Sequence, residues 1–141
     1  MKIKRFFVVL VAVCLFLTGC SSSFSWDKSV AKLEDAGYEV TRNYTTAEDL
    51  NKITKELNSE IKMNDKDFVV EVIKYMSLDK EKDGCLFLQF KEDDQAKKYY
   101  DLRIEIRNQF ENSKLKFALY DDTVLIADAG ETVNLLNLKF M

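Results

Sequence analysis

The spacing of apolar residues changes several times along the chain, and each change marks an element. From Phe6 to Leu17 the stretch "FFVVLVAVCLFL" carries no charge and follows a basic head of Lys2, Lys4 and Arg5. After a serine tract, Trp26, Val30 and Leu33 recur at helical spacing up to Gly37, which stands where a helix C-cap belongs. "YEVTRNY", Tyr38 to Tyr44, alternates as a strand does, and Thr45 with Glu48 three residues on forms a capping-box pattern that opens the next helix. Leu50, Ile53, Leu57 and Ile61 make one apolar stripe along that helix, while Glu48, Asp49, Lys52, Lys55 and Glu56 face water. The stripe reads as core.

Two β-branched and aromatic runs follow, "DFVVEVIKYM" from Asp67 to Met76 and "CLFLQF" from Cys85 to Phe90. The charged, glycine-closed connection "SLDKEKDG" predicts that they form a hairpin. Asp93 or Asp94 is placed to cap a long helix with Tyr99, Leu102, Ile106 and Phe110 along one face. "KLKFALY", a turn at Asp121 and Asp122, and "TVLIA" predict a second hairpin, and Val133, Leu136 and Phe140 fall on a last short helix after Gly130.

The middle of this series, strand, helix, strand, strand, helix, strand, matches the split βαβ pattern. It predicts an α+β fold: a ferredoxin-like sandwich, an antiparallel sheet with two helices on one face, extended by an N-terminal helix and a C-terminal strand and helix. The alternative is a pair of stacked ββα units, from Asp67 to Asn112 and from Lys114 onward.

The end of the first apolar run is more specific than its hydrophobicity. Its twelve residues suit a signal-peptide core and fall short of the ~20 that span a bilayer. Leu17, Thr18, Gly19 and Cys20 then stand in the order large aliphatic, two small residues, cysteine. This resembles the lipobox of bacterial lipoproteins. The resemblance implies cleavage between Gly19 and Cys20, a thioether-linked diacylglycerol on Cys20, and a location at the cell membrane, lipid-anchored on its extracytoplasmic face. The chain then divides into a signal peptide over residues 1–19, the lipidated Cys20 with a polar tether to Ser25, and a single domain over 26–141. Trp26 lies near enough to the lipid for an interfacial position, though core packing of the first helix is the stronger reading.

Without the signal segment, 18 Lys and Arg remain against 24 Asp and Glu, a net charge of −6. That balance is opposite to the basic footprint nucleic acid requires, so no nucleic-acid partner is expected. Cys14 leaves with the signal and Cys20 takes lipid, so Cys85 has no disulfide partner and reads as a small buried hydrophobe.

The chain has no His, which removes Ser-His-Asp and Cys-His nucleophiles and the usual zinc ligand sets. With Gly37, Gly84 and Gly130 the only glycines after the signal, no nucleotide-binding loop can be built. No cofactor is expected. Asp79, Glu81, Asp83 and Gly84 imitate the start of a calcium loop, but the twelfth position is Phe90 and a strand follows, so a solvated hairpin tip is the stronger reading. Asp121, Asp122, Asp128 and Glu131 form a second acidic set, which could serve a hydrolase only if its members faced one another across a cleft. Tyr99 and Tyr100 point to different sides of their helix, so one of them is expected to be exposed; with Tyr44, Tyr75 and Tyr120 as neighbours it would mark a partner or glycan surface, though a single exposed aromatic is the commoner case.

Together these features favour a non-catalytic binding domain for another envelope protein. A small-ligand or cation-binding module is the alternative, and a carboxylate-dependent hydrolase comes third.

Overall fold

In the computed structural model, which describes residues 24–128 and 130–141, the elements follow the predicted order. They are α1 (Trp26–Asp35), β1 (Glu39–Tyr44), α2 (Ala47–Met63), β2 (Val72–Lys80), β3 (Asp83–Phe90), α3 (Asp93–Arg107), β4 (Lys116–Tyr120), β5 (Thr123–Ala127) and α4 (Glu131–Leu136). Leu17, Thr18, Gly19 and Cys20 lie outside the described residues. Among the described residues, no helix is long and apolar enough to cross a membrane.

The fold is α+β, with one open antiparallel sheet of five strands in the order β1-β2-β3-β5-β4. Helix α2 joins β1 to β2, which lie side by side and antiparallel. The hairpins β2–β3 and β4–β5 meet edge to edge through β3 and β5, so the two strand-strand-helix units share one sheet rather than stacking.

Period two along β3 separates two cores. Leu88 and Phe90 join Tyr75, Val124 and the apolar faces of α2 and α3. Cys85 and Phe87 point the other way, to Leu78, Leu125, Leu33 of α1 and Leu136 of α4. The two middle helices therefore share one face, as predicted, and the two extension helices cover the other. Burial on both faces explains why "CLFLQF" is a continuous apolar run rather than an alternating one.

The termini of α1 show how local chemistry sets the boundaries. Ser25 caps its start, accepting a hydrogen bond from the Lys28 amide at 3.3 Å. At its end the amide of Gly37 reaches the carbonyl of Glu34 at 3.0 Å and that of Tyr38 reaches Leu33 at 2.9 Å, a Schellman pair that requires the left-handed φ of 96° at Gly37.

Several boundaries differ from expectation. The cap of α2 is Thr46, not Thr45 with Glu48: its hydroxyl accepts from the Asp49 amide at 3.3 Å and bonds the Asp49 carboxylate at 3.0 Å. Asp93 and Asp94 sit in the first turn of α3 rather than capping it, where they favour the positive end of the helix dipole. Helix α3 ends at Arg107, which leaves Phe110 outside it and exposed. Phe140 likewise lies beyond α4, which stops at Asn137 in a left-handed conformation.

Strand β2 begins at Val72 instead of Asp67, because helix side chains have taken the preceding backbone. Asn58 accepts from the Val70 amide at 2.8 Å and donates to its carbonyl at 3.0 Å; Gln95 accepts from the Glu71 amide at 2.8 Å and Thr54 from the Val72 amide at 3.0 Å. At its other end β2 runs to Lys80, so the hairpin turn is only Glu81 and Lys82, with Glu81 at φ 53°.

Candidate functional site

The tight turn decides the geometry of the acidic tip. Lys80 pairs with Asp83 and Asp79 with Gly84, so the side chains of Asp79 and Asp83 leave on opposite faces of the sheet. Asp79 accepts from the Thr41 hydroxyl at 2.5 Å and the Ser77 hydroxyl at 3.3 Å. Asp83 instead accepts from the Tyr38 hydroxyl at 2.9 Å, the Thr132 amide at 3.0 Å and the Thr132 hydroxyl at 2.9 Å. Glu81 projects from the turn between them. The three residues of the calcium-loop pattern thus do not converge, and among the described residues no group of three or more acids or cysteines could hold a metal ion. Gly84 answers a different need from a calcium loop, since a Cβ there would collide with the Asp79 carboxylate.

Asp83 is a structural anchor. Gly130 precedes α4 and offers that helix no side-chain cap, so the carboxylate of Asp83 supplies it from across the sheet. Lys80 works beside it, donating to the Ala36 carbonyl at 2.7 Å and lying 3.4 Å from the Glu131 carboxylate. Burial, with Asp83 beside it, pushes the Tyr38 hydroxyl up to about 12, so it stays protonated and donating.

Cys85 is buried, and desolvation, reinforced by the charges of Asp83, Asp128 and Asp79, raises its thiol far above the ordinary range. It is an inert core residue. On the opposite face of the sheet a depression of about 200 Å³ is lined by Leu86 and Ile126 and edged by Asp79 and Asp128. Partial burial, and then the nearby Asp83, raise the Asp128 carboxyl.

The second acidic set is split by β5. Asp121 and Asp122 form the β4–β5 turn, Asp121 at φ 52° and Asp122 accepting from the Gln89 amide group at 2.9 Å. Asp128 and Glu131 lie past the other end of a five-residue strand. At roughly 3.3 Å per residue that separation exceeds the span over which two carboxylates share a glycosidic bond.

Tyr44, Tyr75, Tyr99 and Tyr100 all join the core beneath α2 and α3, and Tyr120 lies on the other face of the sheet. Tyr99 is buried under α3, with its hydroxyl 3.4 Å from Glu60. Tyr100 is half-buried on the same helix. Tyr44 stacks on Tyr75 with ring centres 4.9 Å apart, and Tyr120 stacks on Phe24 at 5.4 Å. They make no common patch. Trp26 belongs to the sheet: its indole donates to Thr123 at 3.1 Å, its ring lies 5.2 Å from Phe87, and the Lys74 ammonium sits 4.3 Å above it.

The surface feature that sequence periodicity missed lies where β2 failed to begin. A shallow groove of about 500 Å³ is lined by Asn58, Lys62, Lys66, Asp67, Phe68 and Val69. Val69 is 72% exposed and Met63, at the end of α2, 82%. Phe68 also borders a second depression against α3, edged by Lys98 and Glu105. Lys66, 3.0 Å from Glu105, bridges the two. The segment is rigidly held, because Asp65 takes a left-handed φ of 58° to turn out of α2 and Asn58, Gln95 and Thr54 fix the backbone that follows. One hint of this was Met63, an apolar residue off the Leu50 to Ile61 stripe. The arrangement offers contact area, and its lining holds no Ser, Thr or Cys. Compared with protein-family models, with curated proteins and with solved structures, the chain matches none.

Proposed function

We propose that this chain is a lipid-anchored lipoprotein of the cell envelope, held on the extracytoplasmic face through Cys20, whose domain binds another envelope protein without transforming it. The observation that carries the binding reading is exposed Val69 in the lining of the Phe68 groove, with exposed Met63 following the groove residue Lys62 in sequence. Large apolar side chains on a preorganised segment lose little conformational entropy when covered, which favours association. The wide separation of the acidic residues supports binding over hydrolysis.

Site-specific photo-cross-linking in intact cells tests it. A cross-linker at Val69 yields a discrete protein adduct that Met63→Asp abolishes, whereas one at Lys55, exposed on α2, yields none. Equal adducts from both positions, or none from Val69, overturn the reading. Mass spectrometry of the membrane fraction tests the anchor separately, and an unmodified Cys20 there defeats it.

A further inference from the structure

Phe24 is only four residues beyond Cys20, yet it is already part of the fold. Its ring stacks on Tyr120 with centroids 5.4 Å apart and 21° between planes, and leans on Phe87 at 6.1 Å. Two residues later Trp26 is pinned by Thr123 and Phe87. Ser21 to Ser23 separate Cys20 from Phe24 in sequence, and four peptide steps reach at most about 14 Å even when fully extended. The eight-residue strand β3 alone is roughly 26 Å long. A domain restrained so closely at one point of its surface cannot turn every side to the membrane.

Phe24 docks on the face of the sheet that carries α1 and α4, with Phe87 beneath it. Phe68, α2 and α3 belong to the opposite face. We propose that the short tether gives the domain a fixed polarity, with the face of α1 and α4 apposed to the lipid surface and the Phe68 groove presented outward. This rests on the lipid-anchor reading above and adds to it a direction. The occupant of the α1 and α4 side is the bilayer surface itself, brought there by the length of the chain rather than by charge, since on α1 exposed Asp27, Glu34 and Asp35 outnumber Lys28 and Lys32.

The test uses the full lipidated protein in vesicles of phosphatidylcholine and phosphatidylglycerol containing a headgroup nitroxide quencher. Single fluorophores are attached through Lys28→Cys on α1 or Lys55→Cys on α2, both exposed sites, while buried Cys85 stays unlabelled. The label at position 28 is expected to be quenched several-fold more than that at 55. An insert of about twenty Gly and Ser residues between Ser23 and Phe24, with a reach of roughly 25 Å, abolishes the difference. Equal quenching with the native tether, stronger quenching at 55, or a difference that survives the insert overturns the proposal. Mass spectrometry of the same sample keeps this apart from the anchor: absence of lipid on Cys20 defeats the anchor reading, whereas equal quenching of a lipidated protein defeats only the polarity.

Discussion

The Asp83 carboxylate and Thr132, 49 residues apart in sequence, are joined by two hydrogen bonds, one from the Thr132 amide at 3.0 Å and one from its hydroxyl at 2.9 Å. Thr132 is fully buried and stands in the first turn of α4. Asp83→Ala leaves the buried Thr132 amide and one of the two hydroxyl protons without an acceptor, the Thr132 and Tyr38 hydroxyls keeping only their mutual bond at 2.9 Å, and costs about 1–3 kcal/mol. Urea unfolding reads the loss, and faster amide exchange in α4 locates it. In a double-mutant cycle with Thr132→Val the two losses fall short of adding, because both remove the same pair. Additive losses argue against the bond from the Thr132 hydroxyl to Asp83, whereas unchanged exchange in α4 argues against the amide cap, which Thr132→Val leaves in place.

Gly84 and Asp79 face each other across the same hairpin, and the glycine leaves room for a carboxylate that Thr41 holds at 2.5 Å. Gly84→Ala forces Asp79 off Thr41 and loosens the pairing of β1 with β2. The expected cost is on the order of 1–2 kcal/mol, a lost hydrogen bond to a charged group plus local strain. Asp79→Ala in the same chain removes the clash, so the double variant is more stable than Gly84→Ala alone. A double variant that is less stable contradicts this account.

Asp128 carries a raised pKa, caused first by desolvation and then by Asp83, with Asp79 also raising it and a backbone hydrogen bond from Gly84 opposing them. A carboxyl whose folded pKa lies above its unfolded value makes folding take up protons, so its stabilising contribution is full below the unfolded pKa of about 3.9 and is lost as pH rises through the folded value. Asp128→Asn removes that dependence. The variant should gain stability over the parent at pH 7 and lose the gain at pH 3, as read from urea midpoints. An equal difference at both pH values refutes the assignment.

How much of this was legible in the sequence varies with how local each determinant is. Gly37 announced the end of α1 because a Schellman turn depends on neighbouring residues, and the Leu50 to Ile61 stripe announced α2 because helical burial is periodic. The start of β2 was illegible, since Val70 and Glu71 look like strand but their amides are taken by Asn58 and Gln95, partners that only the tertiary fold brings near. Asp83 was hidden for the same reason. Its spacing to Asp79 imitated a calcium loop, whereas its actual partners, Tyr38 and Thr132, lie on other elements. The groove at Phe68 follows from that misread boundary.

The two edges of the sheet are treated differently, and the difference leads to the last prediction. At β4 the Phe117 amide donates to the Met141 carbonyl at 2.9 Å and the Met141 amide returns a bond to Phe117 at 2.7 Å. Arg107 donates to the same Met141 carbonyl, and the Lys139 amide donates to the Tyr120 hydroxyl at 2.8 Å. Residues 139–141 thus occupy hydrogen-bonding positions that an incoming strand would use. At β1 no such cover is present among the described residues, but a bulge between Val40 and Arg42 and the charges of Glu39 and Arg42 discourage pairing. A chain ended at Leu138 uncovers backbone groups of the β4 edge at Phe117, where no register shift interrupts the strand. It should self-associate in a concentration-dependent manner where the parent does so less, measured by sedimentation velocity. Restoring the three residues with Phe140 and Met141 both changed to Ala should restore the parent's behaviour, because the covering bonds are made by backbone. Unchanged sedimentation of the shortened chain shows that these residues do not guard the edge.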